Sequence, residues 1–175
     1  MKIRNTILWV ILLTLIDQAV KLVIYHSFMN VNCVLIPKTL EFKPTFNPSY
    51  SYWTAKMGTN MGLIAHLIVF SFIWLILIFL YKFHHKIDSK NRLLDIALLF
   101  QTAGFTSAYI SILFWKEGVL DFMFFKPLNV ICDLKDLYIN AFVILWIIST
   151  SIIAVRFQTK PKDIIKYAKS LFTKR

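Results

Sequence analysis

The chain has 175 residues, 58% of them hydrophobic and only 17% charged, with a mean hydropathy of +0.63. With 16 Phe, 5 Trp and 7 Tyr against 4 Gly, it carries too much apolar surface for a disordered, collagenous or low-complexity chain, and too much for a soluble domain. Lys and Arg outnumber Asp and Glu by 20 to 9, a net +11, which in a soluble domain would suggest nucleic acid; the positions of the charges point elsewhere.

Four apolar stretches follow in chain order, at residues 7–25, 63–81, 93–115 and 137–157. Each is near the ~20 residues a helix needs to cross the hydrocarbon core. The first follows Lys2 and Arg4 like a secretory signal, but it is too long and lacks a small-x-small cleavage site, so it is expected to stay as an anchor. Two Lys or Arg precede it, four lie in the Lys82 to Arg92 connection, and seven lie from Arg156 to the end. The first long loop has only Lys38, Lys43 and Lys56, and the second balances Lys116, Lys126 and Lys135 with Glu117, Asp121, Asp133 and Asp136. The positive-inside bias therefore predicts cytoplasmic termini and middle loop, with both long loops outside. Membrane topology accounts for the basic surplus, and no nucleic-acid partner is expected.

After the break at Pro161, Ile164, Ile165, Ala168, Leu171 and Phe172 recur at helical spacing among Lys162, Lys166, Lys169 and Lys174. An amphipathic helix on the inner leaflet and a frayed basic end both fit this pattern. No repeat or linker divides the chain, so residues 1–175 read as one membrane domain. The predicted fold class is an all-α integral membrane protein: four transmembrane helices, two extracytoplasmic loops, the first with room for short β structure, and the basic tail.

Polar residues inside a bilayer are costly enough to need a partner or a task. Asp17, Gln18 and Lys21 sit in the outer half of the first helix, with Asp17 and Lys21 at i and i+4, where they neutralise one another. By default this is a structural pair; its functional reading is a polar strut bracing a site near the outer interface. The second loop, Gly118 to Ile139, is strongly apolar yet keeps Asp121, Asp133 and Asp136. Apolar surroundings raise carboxyl pKa values, and two adjacent carboxyls cannot both ionise readily. One then holds a proton while the other activates water, the division of labour in aspartic proteolysis. Any one of these aspartates alone is better explained as solvating a loop; three in one apolar loop point to a site.

Other chemistries find little support. No His-Glu-x-x-His is present, and His84 and His85 fall in the basic connection, where a surface role is expected. His26 and His66 lie near helix ends. There is no Gly-x-Ser-x-Gly elbow, and Ser107, Ser111, Ser149 and Ser151 read as small helix-packing residues. Cys33 and Cys132 have no metal-ligand spacing, and no histidine adjoins Cys132. Asp95 is expected to pair with Arg92 or face the interface. Neither a metal nor a cofactor is expected.

Across roughly residues 8 to 157, these features resemble the lipoprotein signal peptidase (signal peptidase II) family, four-helix aspartic peptidases of bacterial plasma membranes. Asp17-Gln18-Ala-Val-Lys21 is similar to the family's Asp-Gln-x-x-Lys. The run Asn47 to Tyr52 resembles, more loosely, Asn-x-Gly-x-Ala-Phe, with bulkier or polar residues at the Gly and Ala positions. Val119-Leu120-Asp121-Phe122 resembles Val-Val-Asp-Phe, which carries one catalytic aspartate. Cys132 to Ile139 resembles Phe-Asn-x-Ala-Asp-x-x-Ile if Asp136 is the second acid and Asp133 stands for the asparagine. A register starting at Asn129 makes Asp133 catalytic but loses the isoleucine and sets the acid a helical turn further from the membrane. The family's Gly-Asn-x-x-Asp-Arg is absent from the third helix, where Tyr109-Ile-Ser-Ile-Leu113 stands, which marks a divergent branch.

The resemblance implies that Asp121 and Asp136 are catalytic, with Asp17, Gln18, Lys21, Asn47 and Asp133 supporting them or binding substrate. It further implies a monomer among membrane lipids in a bacterial plasma membrane. The substrate would be a prolipoprotein whose lipobox cysteine carries diacylglycerol, cut just before that cysteine at the outer face. The alternative is an inactive relative that binds lipidated or hydrophobic peptides without cutting them.

Overall fold

A run of apolar residues in a bilayer has no hydrogen-bond partner for its backbone but itself, so it closes into a helix. In the computed structural model, which describes residues 3–51, 54, 56–59 and 61–173, the runs form α1 (Ile3–Ser27), α2 (Gly62–Ile87), α3 (Arg92–Phe114) and α4 (Leu134–Phe157). Lys2, Tyr52 and Lys174, named above, lie outside the described residues. All four helices are long and apolar enough to cross a membrane. They run a few residues past most of the hydropathy limits, because a helix continues into the interface where charged side chains are solvated.

The helices differ in how much they bury. Within its apolar window α3 is 56% buried and α2 only 6%; α3 packs chiefly against α4 and α1, while α2 turns residues such as Ile64, Phe72 and Leu75 outward. In lipid such exposure costs nothing, and close packing is what holds helices together. Gly104 shows this on α3: a Cβ there would lie 2.7 Å from Ile139 Cγ1 and 3.4 Å from the Lys135 carbonyl, so its hydrogen lets the first turns of α4 approach.

Both long loops emerge at the same end of the bundle and pair with each other. Strands β1 (Cys33–Ile36), β2 (Leu40–Asn47), β3 (Val119–Phe125) and β4 (Val130–Cys132) form one antiparallel sheet in that order. The β structure expected of the first loop is present, and the second loop adds two strands that hydropathy does not separate from loop. The reason is burial: Val119, Leu120, Asp121 and Phe122 are all buried, so β3 lacks the alternation that marks a half-solvated strand. Leu120 and Phe122 pack with Ile24 of α1, seating the sheet on the helices, while Asp121, between them in sequence, projects from the opposite face. The β2–β3 register shifts between Phe42 and Thr45, where Lys43 and Pro44 face the single residue Phe122. Pro44 has no N–H to give a ladder, and the resulting bulge adjoins the Thr45–Asp121 pair.

At the other end, the tail is a helix rather than a frayed end: α5 (Pro161–Thr173) sets Tyr167 against Phe79 and Phe83, with ring centroids 5.5 and 5.6 Å away. It leaves Ile165, Leu171 and Phe172 exposed, as an interfacial helix requires. Asp95, expected to pair with Arg92 or face the interface, accepts a 3.0 Å hydrogen bond from the Tyr81 hydroxyl and lies 3.6 Å from His85 Nδ1. An aspartate in the first turn of α3 is thus satisfied from the last turns of α2. His66 is buried and stacked on Phe70.

Candidate active site

Helix α4 begins at the site, and its first turn explains the local order. The first N–H groups of a helix have no partner within it, and Asp and Ser-type side chains accept from them. Asp133 is the N-cap: its Oδ1 accepts from Asp136 N at 3.2 Å, while Asp136 Oδ2 accepts from Asp133 N at 3.1 Å. This reciprocal capping box draws the two side chains together, so the helical turn between them in sequence does not separate their carboxyls. With Asp121 from β3, the three place carboxylate oxygens within 4.8 Å of one another.

Lys135, counted above only as a loop charge, sits among them. Its Nζ donates to Asp133 Oδ2 at 2.8 Å, Asp121 Oδ1 at 3.3 Å and Asp136 Oδ2 at 3.4 Å. The sequence signal was a lysine between two aspartates in an apolar segment, which charge balance over the whole loop averages away.

The strut on α1 reaches the same cluster. Lys21 Nζ bonds Asp17 Oδ2 at 3.0 Å and also pairs with Asp133 Oδ2. It donates to Ser111 Oγ at 2.7 Å, and Gln18 Nε2 bonds both Asp17 Oδ2 and Ser111 Oγ, at 2.9 and 3.1 Å. Ser111 is therefore more than a small packing residue: its hydroxyl holds the strut from α3, within the very run Tyr109 to Leu113 that lacks the family's polar motif. Asp17, Lys21 and Asp133 are fully buried, so each charge depends on these contacts.

Asn47 comes in from the end of β2, paired with Val119 across the sheet, and its Oδ1 accepts from Ser49 N at 3.0 Å. The neighbouring Gly118 has φ +114, and a Cβ there would stand 2.3 Å from the Asn47 carbonyl oxygen. Only glycine permits that approach. Asn129, the start of the other register, has φ 52 and closes the turn into β4; asparagine tolerates this left-handed conformation, so the backbone accounts for it.

The carboxyls differ in access. Asp121, Lys135 and Asp136 line a cavity of about 670 Å³ whose walls are largely apolar, among them Leu40, Phe70, Met123 and Phe125, and which Asn47 also lines. Asp121 also lines a second cavity of about 450 Å³ with Asn47, Lys56 and Asn129. The Asp136 side chain is 35% exposed, that of Asp121 7% and that of Asp133 not at all. Burial, partly offset by Lys135, pushes the Asp121 carboxyl up to about 6. Burial also opposes ionisation of Asp133, but Lys135 and Lys21 outweigh it and hold that carboxyl below the ordinary range. Asp133 is thus held ionised by its two lysines, while Asp121 beside it is drawn towards the neutral acid. Cys132 and Cys33 are free thiols, and Cys132 Sγ donates to the Met123 carbonyl.

Comparison with known proteins agrees with this architecture. No curated protein matches the chain in sequence. Two solved structures described as bacterial membrane enzymes share the fold: one aligns with a TM-score of 0.67 at 21% identity, covering 85% of this chain and 94% of its own. The other aligns with a TM-score of 0.68 at 19% identity, covering 91% and 94%. The family model described as signal peptidase (SPase) II matches residues 9–152, which run from within α1 through most of α4 and include all four strands described. The chain, a multi-pass membrane protein with the fold of a protease family, belongs to the signal peptidase II family.

Proposed function

We propose that the protein is an aspartic endopeptidase that removes the signal peptide from diacylglyceryl-modified prolipoproteins, with Asp121 and Asp136 as the reacting acids. The observation that carries this reading is that these two carboxyls, within 4.8 Å of each other, line one largely apolar cavity beside the sheet. Such a cavity suits a scissile bond flanked by lipid, and two acids at that spacing suit a shared proton. One carboxylate takes a proton from water while the other, protonated, polarises the scissile carbonyl and then helps release the amine. The pair titrates as a unit, and neither role belongs permanently to one residue. Burial that raises the Asp121 carboxyl to about 6 brings its proton exchange closer to neutral pH, which supports a role in proton transfer.

Asp133 is the supporting acid in this reading, since its oxygens are taken by Lys21, Lys135 and the Asp136 N–H and it faces neither cavity. Asp17, Gln18 and Lys21 brace it, and Asn47 is placed to meet the peptide. The sheet end of the bundle is the outer face, because the basic connection and the basic tail lie at the other end. The protein acts as a monomer among membrane lipids.

The test is cleavage of a diacylglyceryl-modified precursor by the purified protein in lipid, comparing the parent with Asp121→Asn, Asp133→Asn and Asp136→Asn. Cleavage lost by at least about a hundredfold in the Asp121 and Asp136 variants, and better kept with Asp133→Asn, supports the assignment. A parent that binds the precursor without cutting it favours the binding relative, and loss confined to Asp121→Asn and Asp133→Asn transfers the second role to Asp133.

A further inference from the structure

We propose that Lys135 is a positioning residue of the aspartate pair: anchored on Asp133, its ammonium spans Asp121 and Asp136 and holds the two acids together at the cavity wall. The proposal rests on the peptidase reading above. Its anchor is the 2.8 Å bond to Asp133 Oδ2, and the contacts to Asp121 and Asp136 are longer, 3.3 and 3.4 Å. The ammonium is thus tied down by the acid that faces no cavity and reaches towards the two that do.

A purely structural bridge would not need this arrangement. The N-terminus of α4 is already capped by Asp133 and Asp136, and Asp133 is already compensated by Lys21. The groups that lose their direct ion pair when Lys135 is removed are Asp121 and Asp136, the two at the cavity, with Lys21 left to act on Asp121 only through longer-range attraction. Four carboxyls, Asp17, Asp121, Asp133 and Asp136, meet two ammonium groups here. Lys21 serves the buried side with Asp17 and Ser111; Lys135 alone of the two lines the cavity. The pairing resembles nothing in the motif quoted for the family at this position, where the sequence reads Asp-Leu-Lys-Asp.

The consequence is electrostatic. Asp121 is faced from α4 by Lys135, Asp133 and Asp136, from α1 by Lys21, and by Lys56 across the second cavity, with the Cys132 thiol on the adjacent strand. Of these, Lys135 is the strongest group favouring its ionised form. Removing that charge raises the pH at which Asp121 ionises, so the limb of the activity profile that reports this carboxyl moves upward.

The experiment follows the infrared band of protonated carboxyl against pH for the protein in lipid vesicles, with Asp121→Asn to assign it. Lys135→Gln keeps a donor towards Asp133 while removing the charge, Lys135→Met removes both, and Lys135→Arg restores the charge. The expected result is a midpoint about one pH unit or more higher in Lys135→Gln and Lys135→Met, unchanged in Lys135→Arg, with the kcat/KM profile displaced in the same direction. Neutral variants that titrate like the parent while only their melting temperature falls would overturn the proposal and make Lys135 a brace. The infrared arm is independent of turnover: a shifted midpoint in a protein that never cleaves sinks the peptidase reading but upholds the coupling of Lys135 to Asp121. If Lys135→Met does not fold, the Gln variant decides.

Discussion

Lys21 on α1 and Asp133 at the N-cap of α4 form an ion pair in which neither side chain has any solvent exposure. The strut that the first helix offers is thereby joined to the acids of the second loop. Ser111 brings in α3 through the same ammonium, so one buried charge ties three helices together beneath the sheet. Removing one partner of such a pair leaves the other charged and unpartnered, which costs far more than the pair contributes.

Lys21→Met should therefore destabilise the protein by about 3–5 kcal/mol, read as a lower melting temperature in detergent or as loss of folded material. Ser111→Ala, which removes one neutral acceptor, should cost about 1–2 kcal/mol. Equal effects of the two substitutions would show that the charge network carries little of the load.

Asp121 gives a pH dependence with a definite sign. Its folded carboxyl titrates at about 6 against a reference of 3.8, so the folded state favours the neutral acid. Stability from this group is fully present below pH 3.8 and is lost as pH rises towards about 6. Above that, Asp121→Asn should be more stable than the parent by about 1–3 kcal/mol while losing activity, the gain fading below about pH 4. Thermal unfolding of both proteins at pH 4 and pH 8 checks this, and a variant less stable than the parent at pH 8 contradicts it.

Gly118→Ala forces a side chain into a position with φ +114, against the Asn47 carbonyl 2.3 Å from the new Cβ. Relief requires the ends of β2 and β3 to separate, which displaces Asn47 and Asp121 together. We expect at least about 2 kcal/mol of lost stability and a disproportionate loss of cleavage, measured as kcat/KM on the fraction that remains folded. Full activity in a stable Gly118→Ala protein would show that the junction tolerates movement.

The two thiols should react differently. Cys33 is exposed on β1, whereas burial and the charges of Asp136, Asp133 and Asp121 push the Cys132 thiol up to about 11. Thiolate is the reactive form, so a maleimide at pH 7.5 should label Cys33 well before Cys132, by roughly tenfold or more in rate. An impermeant maleimide should reach Cys33 in intact cells if the sheet end faces outward; protection of Cys33 there, with labelling after lysis, reverses the orientation.

Much of this protein is dictated locally. Membrane spans follow from apolar runs of sufficient length, and the Asp17–Lys21 contact from i,i+4 spacing on one helix. The amphipathic tail was legible as one of two forms, and its contact with α2 through Tyr167 decided between them. Other features depend on residues distant in sequence. The four-stranded sheet needs both loops, and burial on both faces erases the alternation by which β3 would be read. Asp133 and Asp136 read as rival choices because their spacing implies separation, yet the capping box brings their carboxyls together. Lys135 and Ser111 were visible as residues but not as members of the site, because a charge or hydroxyl acquires its role from what surrounds it. Spacing along a helix is set by the backbone, so sequence determines it; the company of a buried polar group is set by which helices and strands converge on it, and that only the tertiary structure decides.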